Sequence, residues 1–188
     1  MPALDDAHHE TFHRLVPHPD TPPAAISAVD VELIDTDGAD LMLRYVVRDS
    51  DGLVVPAPQS PGRADGLWQT TCFELFLRGA GEGYFEFNFS PSGQWAAYAF
   101  DAYRAGMREL ELGIDPHVEG ERASGMFTLD ADLDLSDLPP TALHVNLSAV
   151  IEEADGTKSY WALAHPAGKP DFHDPACFIL ELPAAPRA

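Results

Sequence analysis

His9-Glu10-Thr11-Phe12-His13 matches the H-E-x-x-H pattern, whose chemistry needs two imidazoles on one helical face and a glutamate that polarises a metal-bound water. The match sits close to the N-terminus and just ahead of Pro17, Pro19, Pro22 and Pro23, which no regular helix tolerates. It is read as a solvated segment. Asp130, Asp132 and Asp134 place three carboxylates on one strand face, about 6–7 Å apart by strand rise. Calcium takes six to eight oxygens, and a single strand cannot wrap an ion. These aspartates read as an outward polar face, with calcium left open. Asn88-Phe89-Ser90 and Asn146-Leu147-Ser148 match glycosylation acceptors but fall inside expected strands, so both read as accidental.

Two other groups of residues could form a binding site. Glu74, Glu86 and Asn88 lie opposite rows of Phe and Leu, and Trp68, Trp95 and Tyr98 are close to them in sequence. A carboxylate and an amide hydrogen-bond hydroxyl groups while an indole stacks on the C–H face of a sugar. The same residues equally fit a solvated strand face with aromatics in the core. The second group is the loop 165–175, which follows Trp161 and carries His165, Lys169, Asp171, His173 and Asp174 between prolines. It fits either a ligand or metal loop on a rigid scaffold or a proline-stiffened connection. No nucleophile–base arrangement and no glycine-rich phosphate loop can be recognised, so no catalytic residue is assigned.

The elements that must position these residues repeat with period two. Val29, Val31 and Leu33 alternate with acids, as do Leu41, Leu43, Tyr45 and Val47 with Met42 and Arg44, and the turn-rich Asp35–Asp40 joins the two runs into a hairpin. The runs 72–78, 84–90 and 95–100 form a three-strand meander, broken at Gly79–Gly83 and at Pro91-Ser92-Gly93. Residues 127–135, 143–151, 160–164 and 178–182 continue the alternation, and 102–114 fits a strand better than a helix. Residues 1–25 read as an irregular lead-in, 49–66 as a long loop and 183–188 as a tail. Nine or more short strands with no long helix predict an all-β chain, a single antiparallel β-sandwich in one domain over 1–188.

The chain has 188 residues, 31 acidic and 11 basic side chains and a net charge of −20. That balance cannot supply the basic face that nucleic acid or an anionic membrane requires. With no apolar run of spanning length and no leader pattern, the expectation is a cytoplasmic protein with Cys72 and Cys177 reduced and buried. Its oligomeric state is left open.

Two segments carry a resemblance to a known family. Leu67–Leu77 holds Trp68 and the strand around Glu74, and Glu86–Tyr98 holds Glu86-Phe87-Asn88-Phe89-Ser90-Pro91-Ser92-Gly93. They resemble bacterial DOMON-like proteins, relatives of the family 9 carbohydrate-binding modules, in which a Trp-Glu pair and an E-F-N-x-x-P-x-G hairpin occur in this order. Phe172-His173-Asp174-Pro175 resembles the loop before their closing strand. The resemblance runs from about Thr21 to Leu182. It implies a β-sandwich that binds a sugar or haem and performs no catalysis. A sugar binder of that kind would clamp its ring with Trp68, Trp95 or Trp161. A haem binder would draw axial ligands from Met107, Met126, His144 and His165. The expected function is therefore non-catalytic binding of a carbohydrate or similar small polar ligand, with haem or metal binding and a protein-partner role as alternatives.

Overall fold

The computed structural model describes residues 9–35 and 39–183. The acidic start of the chain, the centre of the Asp35–Asp40 turn and most of the 183–188 tail lie outside the described residues.

The described residues form thirteen strands: β1 (His9–Pro17), β2 (Ala28–Asp35), β3 (Asp40–Arg48), β4 (Gly62–Arg63), β5 (Cys72–Arg78), β6 (Tyr84–Phe89), β7 (Gln94–Phe100), β8 (Arg108–Glu109), β9 (His117–Ala123), β10 (Met126–Asp134), β11 (Leu143–Glu152), β12 (Lys158–Ala162) and β13 (Leu180–Leu182). Among the described residues the only helices are three short 3₁₀ turns. The strands make one continuous path, β4-β7-β6-β5-β11-β12-β1-β2-β3-β10-β9, with β13 on β11 and β8 on β7. The expected all-β chain is thus a single sheet curled on itself. The fold turns at β1, whose residues His9–Leu15 pair with β2 while Val16 and Pro17 pair with β12.

The two arms of this sheet face each other across a common core. Phe73 from one arm lies against Tyr45 and Phe127 from the other, with ring centroids 5.0 and 6.3 Å away. The Tyr45 hydroxyl crosses the same gap and donates to the Glu74 carbonyl at 2.7 Å. The core follows from parity. In β3, Leu41, Leu43, Tyr45 and Val47 are buried and their neighbours are not, as a strand with one covered face requires. In β5 the first six residues are all buried, which means that both faces are covered.

Residues 1–25 are not irregular throughout, because β1 occupies His9–Pro17. Leu15 is the buried apolar residue in its described part, so alternation gives little signal there, and the ladder to β2 sets the strand. As a strand, the H-E-x-x-H segment places positions 9 and 13 about 13 Å apart, unlike the single helical turn that zinc needs. The strand expected over 102–114 shrinks to β8. Arg104 and Gly106 both take positive φ, 51° and 67°, and bend the chain back on itself there. The expected long loop 49–66 contains β4, which runs parallel to the start of β7. β9 carries no usable alternation, since only Val118 is buried along an otherwise exposed edge.

Candidate functional site

The outer face of the β5–β6–β7 arm is built by cross-strand rows. One row is Ser148, Glu74, Asn88 and Ala96 across β11, β5, β6 and β7. The adjacent row is Asn146, Phe76, Glu86 and Tyr98. Period two therefore places Glu74 of β5 and Glu86 and Asn88 of β6 on one face of two neighbouring strands. Two loops cover this face, 101–107 and 165–175, and between them and the sheet lies a cavity of about 370 Å³.

Glu74 and Glu86 form the floor of the cavity. Glu74 accepts a hydrogen bond from the Ser148 hydroxyl at 3.2 Å, and Glu86 accepts one from the Asn88 amide at 3.0 Å. Burial pushes the Glu74 carboxyl well above the usual range, and the neighbouring Glu86 charge pushes it further. Burial also raises Glu86, against the stabilising Asn88 hydrogen bond and the Arg104 charge. Charge on one carboxyl disfavours charge on the other, so the two titrate as a pair and not independently.

The walls are aromatic. Trp68 projects from the 3₁₀ turn Leu67–Gln69, edge-on to Tyr98 at 6.4 Å, and Phe100, Tyr160 and Phe172 complete the lining. Trp68 is 42% exposed, a large fraction for an indole held in a turn. The Tyr98 hydroxyl donates to Asp65 at 2.6 Å, which fixes its ring against the floor.

His173 closes one side, caged by Phe76, Tyr84 and Phe100 at 5.2–5.7 Å between ring centroids. The Tyr84 hydroxyl accepts from the Arg104 amide at 3.1 Å and lies 2.8 Å from His173 Nδ1. The other ring nitrogen, Nε2, lies 3.8 Å from Glu86. This contact is not an ion pair near neutrality. Burial, with the Arg104 charge, lowers the His173 pKa to about 4 and leaves the ring neutral.

Asp171 lies beside the cavity and ties the two covering loops together. It accepts from Arg104 at 2.7 Å and from the Tyr103 hydroxyl, and also from the His173 amide at 3.1 Å. Burial raises the Asp171 carboxyl, but the Arg104 and Tyr103 hydrogen bonds more than reverse this and leave it below its ordinary value. Gly106 is required in the 101–107 loop because a Cβ there would meet the Asp101 carboxylate.

The structure brings together Trp68, Glu74, Glu86, Tyr98 and His173 at the cavity, with Asn88 bracing the floor and Asp171 joining the loops. It does not bring Trp95 and Trp161 to it. Those indoles occupy one row with Ala149, Phe73 and Phe89, on the opposite face of the sheet, and are buried between the arms. His165 donates to the Val16 carbonyl at 2.9 Å and packs edge-on against His18, behind Phe172 and outside the lining itself. Of the other haem-ligand candidates, Met107 lines the cavity, His144 faces Glu181 on β13, and Met126 accepts from Arg48 on β3. Among the described residues no group of three His, Cys, Asp or Glu side chains is arranged to hold a metal ion. Asp130 is engaged by Arg44 at 2.8 and 2.9 Å. Cys72 and Cys177 are buried and unpaired, and burial lifts the Cys177 thiol to about 12.

Arg104, Phe100, Val150 and Tyr160 are site residues that sequence reasoning did not single out. Parity could have found Phe100, which shares the face of Tyr98. Nothing in the sequence marks Arg104, whose place depends on a loop that turns back at positive φ.

The His173 cage makes a pH prediction. An imidazole with a folded pKa of about 4 against an ordinary 6.5 binds fewer protons folded than unfolded. Its contribution is present above pH 6.5 and is lost as pH falls towards 4, by about 3 kcal/mol at most. Glu74 and Glu86 act with the opposite sign, because their raised values make stability fall as pH rises above 4.5. His173→Asn is therefore expected to lose less stability than the parent between pH 6.5 and 4.5. Equal losses in paired thermal melts would contradict it.

No family model matches the chain, and no curated protein matches it in sequence. Solved structures do match. A candidate carbohydrate-binding protein from Bacteroides uniformis superposes with a TM-score of 0.64 at 15% identity, covering 90% of this chain and 84% of that one. A family 9 carbohydrate-binding module from Caldicellulosiruptor kristjanssonii, solved with cellotriose, superposes with a TM-score of 0.53 at 12% identity, covering 100% and 91%. At these identities the likeness is one of fold. The curled all-β architecture of this chain is shared with carbohydrate-binding structures.

Proposed function

We propose that this chain is a non-catalytic saccharide-binding protein, a DOMON-like relative of the family 9 modules, and that its ligand occupies the cavity between Trp68 and the Glu74–Glu86 floor. One observation carries the reading: polar groups that can both donate and accept face an exposed aromatic wall across a cavity of about 370 Å³. The open carboxyl oxygens of Glu74 and Glu86 accept from sugar hydroxyls, and a protonated carboxyl or the neighbouring His173 imidazole donates in return. Trp68 offers an indole face for the sugar's C–H groups. The volume lies at the small end of the usual range for small-molecule sites, about 300–1,000 Å³. The shared fold supports the same reading, since the Caldicellulosiruptor module was solved with cellotriose.

Calorimetric titration with a panel of mono- and oligosaccharides tests it. Trp68→Ala is expected to weaken the best ligand by tenfold or more, as loss of an aromatic anchor does. Trp95→Phe, altering a core indole on the opposite face, is expected to reduce thermal stability and to leave the affinity within about threefold. Full affinity in the Trp68 variant, or no saccharide bound by the parent protein, would overturn the proposal.

A further inference from the structure

Two acids lie on the cavity floor, and no Lys or Arg among the described residues is hydrogen-bonded to either. Glu74 is 3% exposed and Glu86 is 7% exposed. Each has a single hydrogen-bond donor among the described residues, Ser148 for Glu74 and Asn88 for Glu86, which leaves one oxygen on each carboxyl unpartnered. The arginines on this side of the sheet are engaged elsewhere. Arg104 is paired with Asp171 at 2.7 Å, Arg63 lies between Asp65 and Glu109, and Arg78 lies over the Phe178 ring. The imidazole of His173 is neutral near pH 7. A buried carboxyl pair with open acceptor positions lacks a compact group that carries positive charge and several N–H donors. The aromatic rings that line the rest of the cavity stabilise a cation as well as the C–H face of a sugar.

We infer that the saccharide bound here is an amino sugar, whose ring lies against Trp68 and whose protonated amine sits on the floor between Glu74 and Glu86. This rests on the saccharide reading above and narrows it to one class of sugar. An ammonium donates three hydrogen bonds, enough for the free oxygen of each carboxyl and one further acceptor. Its charge stabilises the ionised form of both carboxyls, which burial disfavours, so amine binding is expected to release protons. Of the other titratable groups facing the pair, Cys72 on β5, Tyr45 on β3, Tyr84 on β6 and Tyr98 on β7 are neutral near pH 7, and the Arg104 charge reaches Glu86 while its guanidinium is bonded to Asp171.

The test is calorimetric titration of the full chain at pH 6.5 with D-glucosamine, its β-1,4-linked dimer, D-glucose, cellobiose, N-acetyl-D-glucosamine and choline. Charge-assisted hydrogen bonds predict that the amine sugars bind at least tenfold more tightly than glucose, cellobiose and the acetylated sugar. Titration in two buffers of different ionisation enthalpy is expected to show proton release with glucosamine and none with glucose. In Glu74→Gln and Glu86→Gln, which keep the shape of the side chain, the ratio of glucosamine to glucose affinity is expected to collapse towards one. Comparison of the monomer with the dimer separates a free sugar from a chain end. Glucose binding as tightly as glucosamine would overturn the amino-sugar inference and leave the saccharide reading standing. Binding of choline with no sugar bound, or of nothing in the panel, would overturn both.

Discussion

Phe73→Ala is expected to lower the free energy of unfolding by about 3–5 kcal/mol. Phe73 is fully buried at the centre of the Trp161, Ala149, Phe73, Phe89, Trp95 row, and its ring fills the gap between the arms. The cost of such a deletion depends on how far the neighbours can close over the void. Here they are held. Tyr45 is fixed by its hydroxyl on the Glu74 carbonyl, 2.7 Å away, and Phe127 stands on β10, which is paired on both sides. The void therefore stays open and the loss falls in the upper part of the usual range. Urea unfolding followed by tryptophan fluorescence measures it. A loss below about 1.5 kcal/mol would show that the two rings collapse into the space after all.

Glu153→Ala is expected to cost about 2–4 kcal/mol, through a contact that links distant parts of the chain. The Glu153 side chain is 2% exposed and accepts from the backbone amides of Ala24 and Ala25 at 2.7 Å and of Ile26 at 3.3 Å. One carboxylate thus anchors the proline-rich segment that leads into β2. Its removal orphans three N–H groups, and water reaches those of the exposed Ala24 and Ala25 more easily than that of the buried Ile26. Glu153→Gln keeps an acceptor oxygen in place and is expected to lose about half as much. The same urea titration, with limited proteolysis of the 19–26 segment, separates the two variants. Equal losses would mean that the space filled by the side chain matters and its hydrogen bonds do not.

The strands were legible in the sequence wherever one face is covered and the other is wet. β2, β3 and β10 alternate cleanly, and their apolar halves are the residues buried between the arms. β1 and β9 were not legible. They bury few side chains, so the hydrophobic pattern that reports a strand is nearly absent, and both are held by backbone ladders to their neighbours.

At the site, parity was a better guide than nearness in sequence. Trp95 lies close to Glu86 and Asn88 along the chain, but it pairs with Phe89 and shares that residue's face. Tyr98 pairs with Glu86 and shares the cavity. Successive strand residues point to opposite sides, so a residue beside the acids in sequence can lie on the far face of the sheet from them. The same parity sends Trp161 inward and Tyr160 towards the cavity.

The sequence by itself determined the all-β architecture, the central meander and the face on which Glu74, Glu86 and Asn88 stand, because period-two alternation is a local property of each strand. Tertiary structure alone decided that this face is covered. The 101–107 and 165–175 loops meet over it through Asp171, Arg104 and Tyr103, residues about seventy positions apart in the chain. That closure turns two surface acids into a buried pair whose carboxyls are both raised above their ordinary range, since the energy of a carboxylate depends on the water around it and no local pattern encodes how much remains.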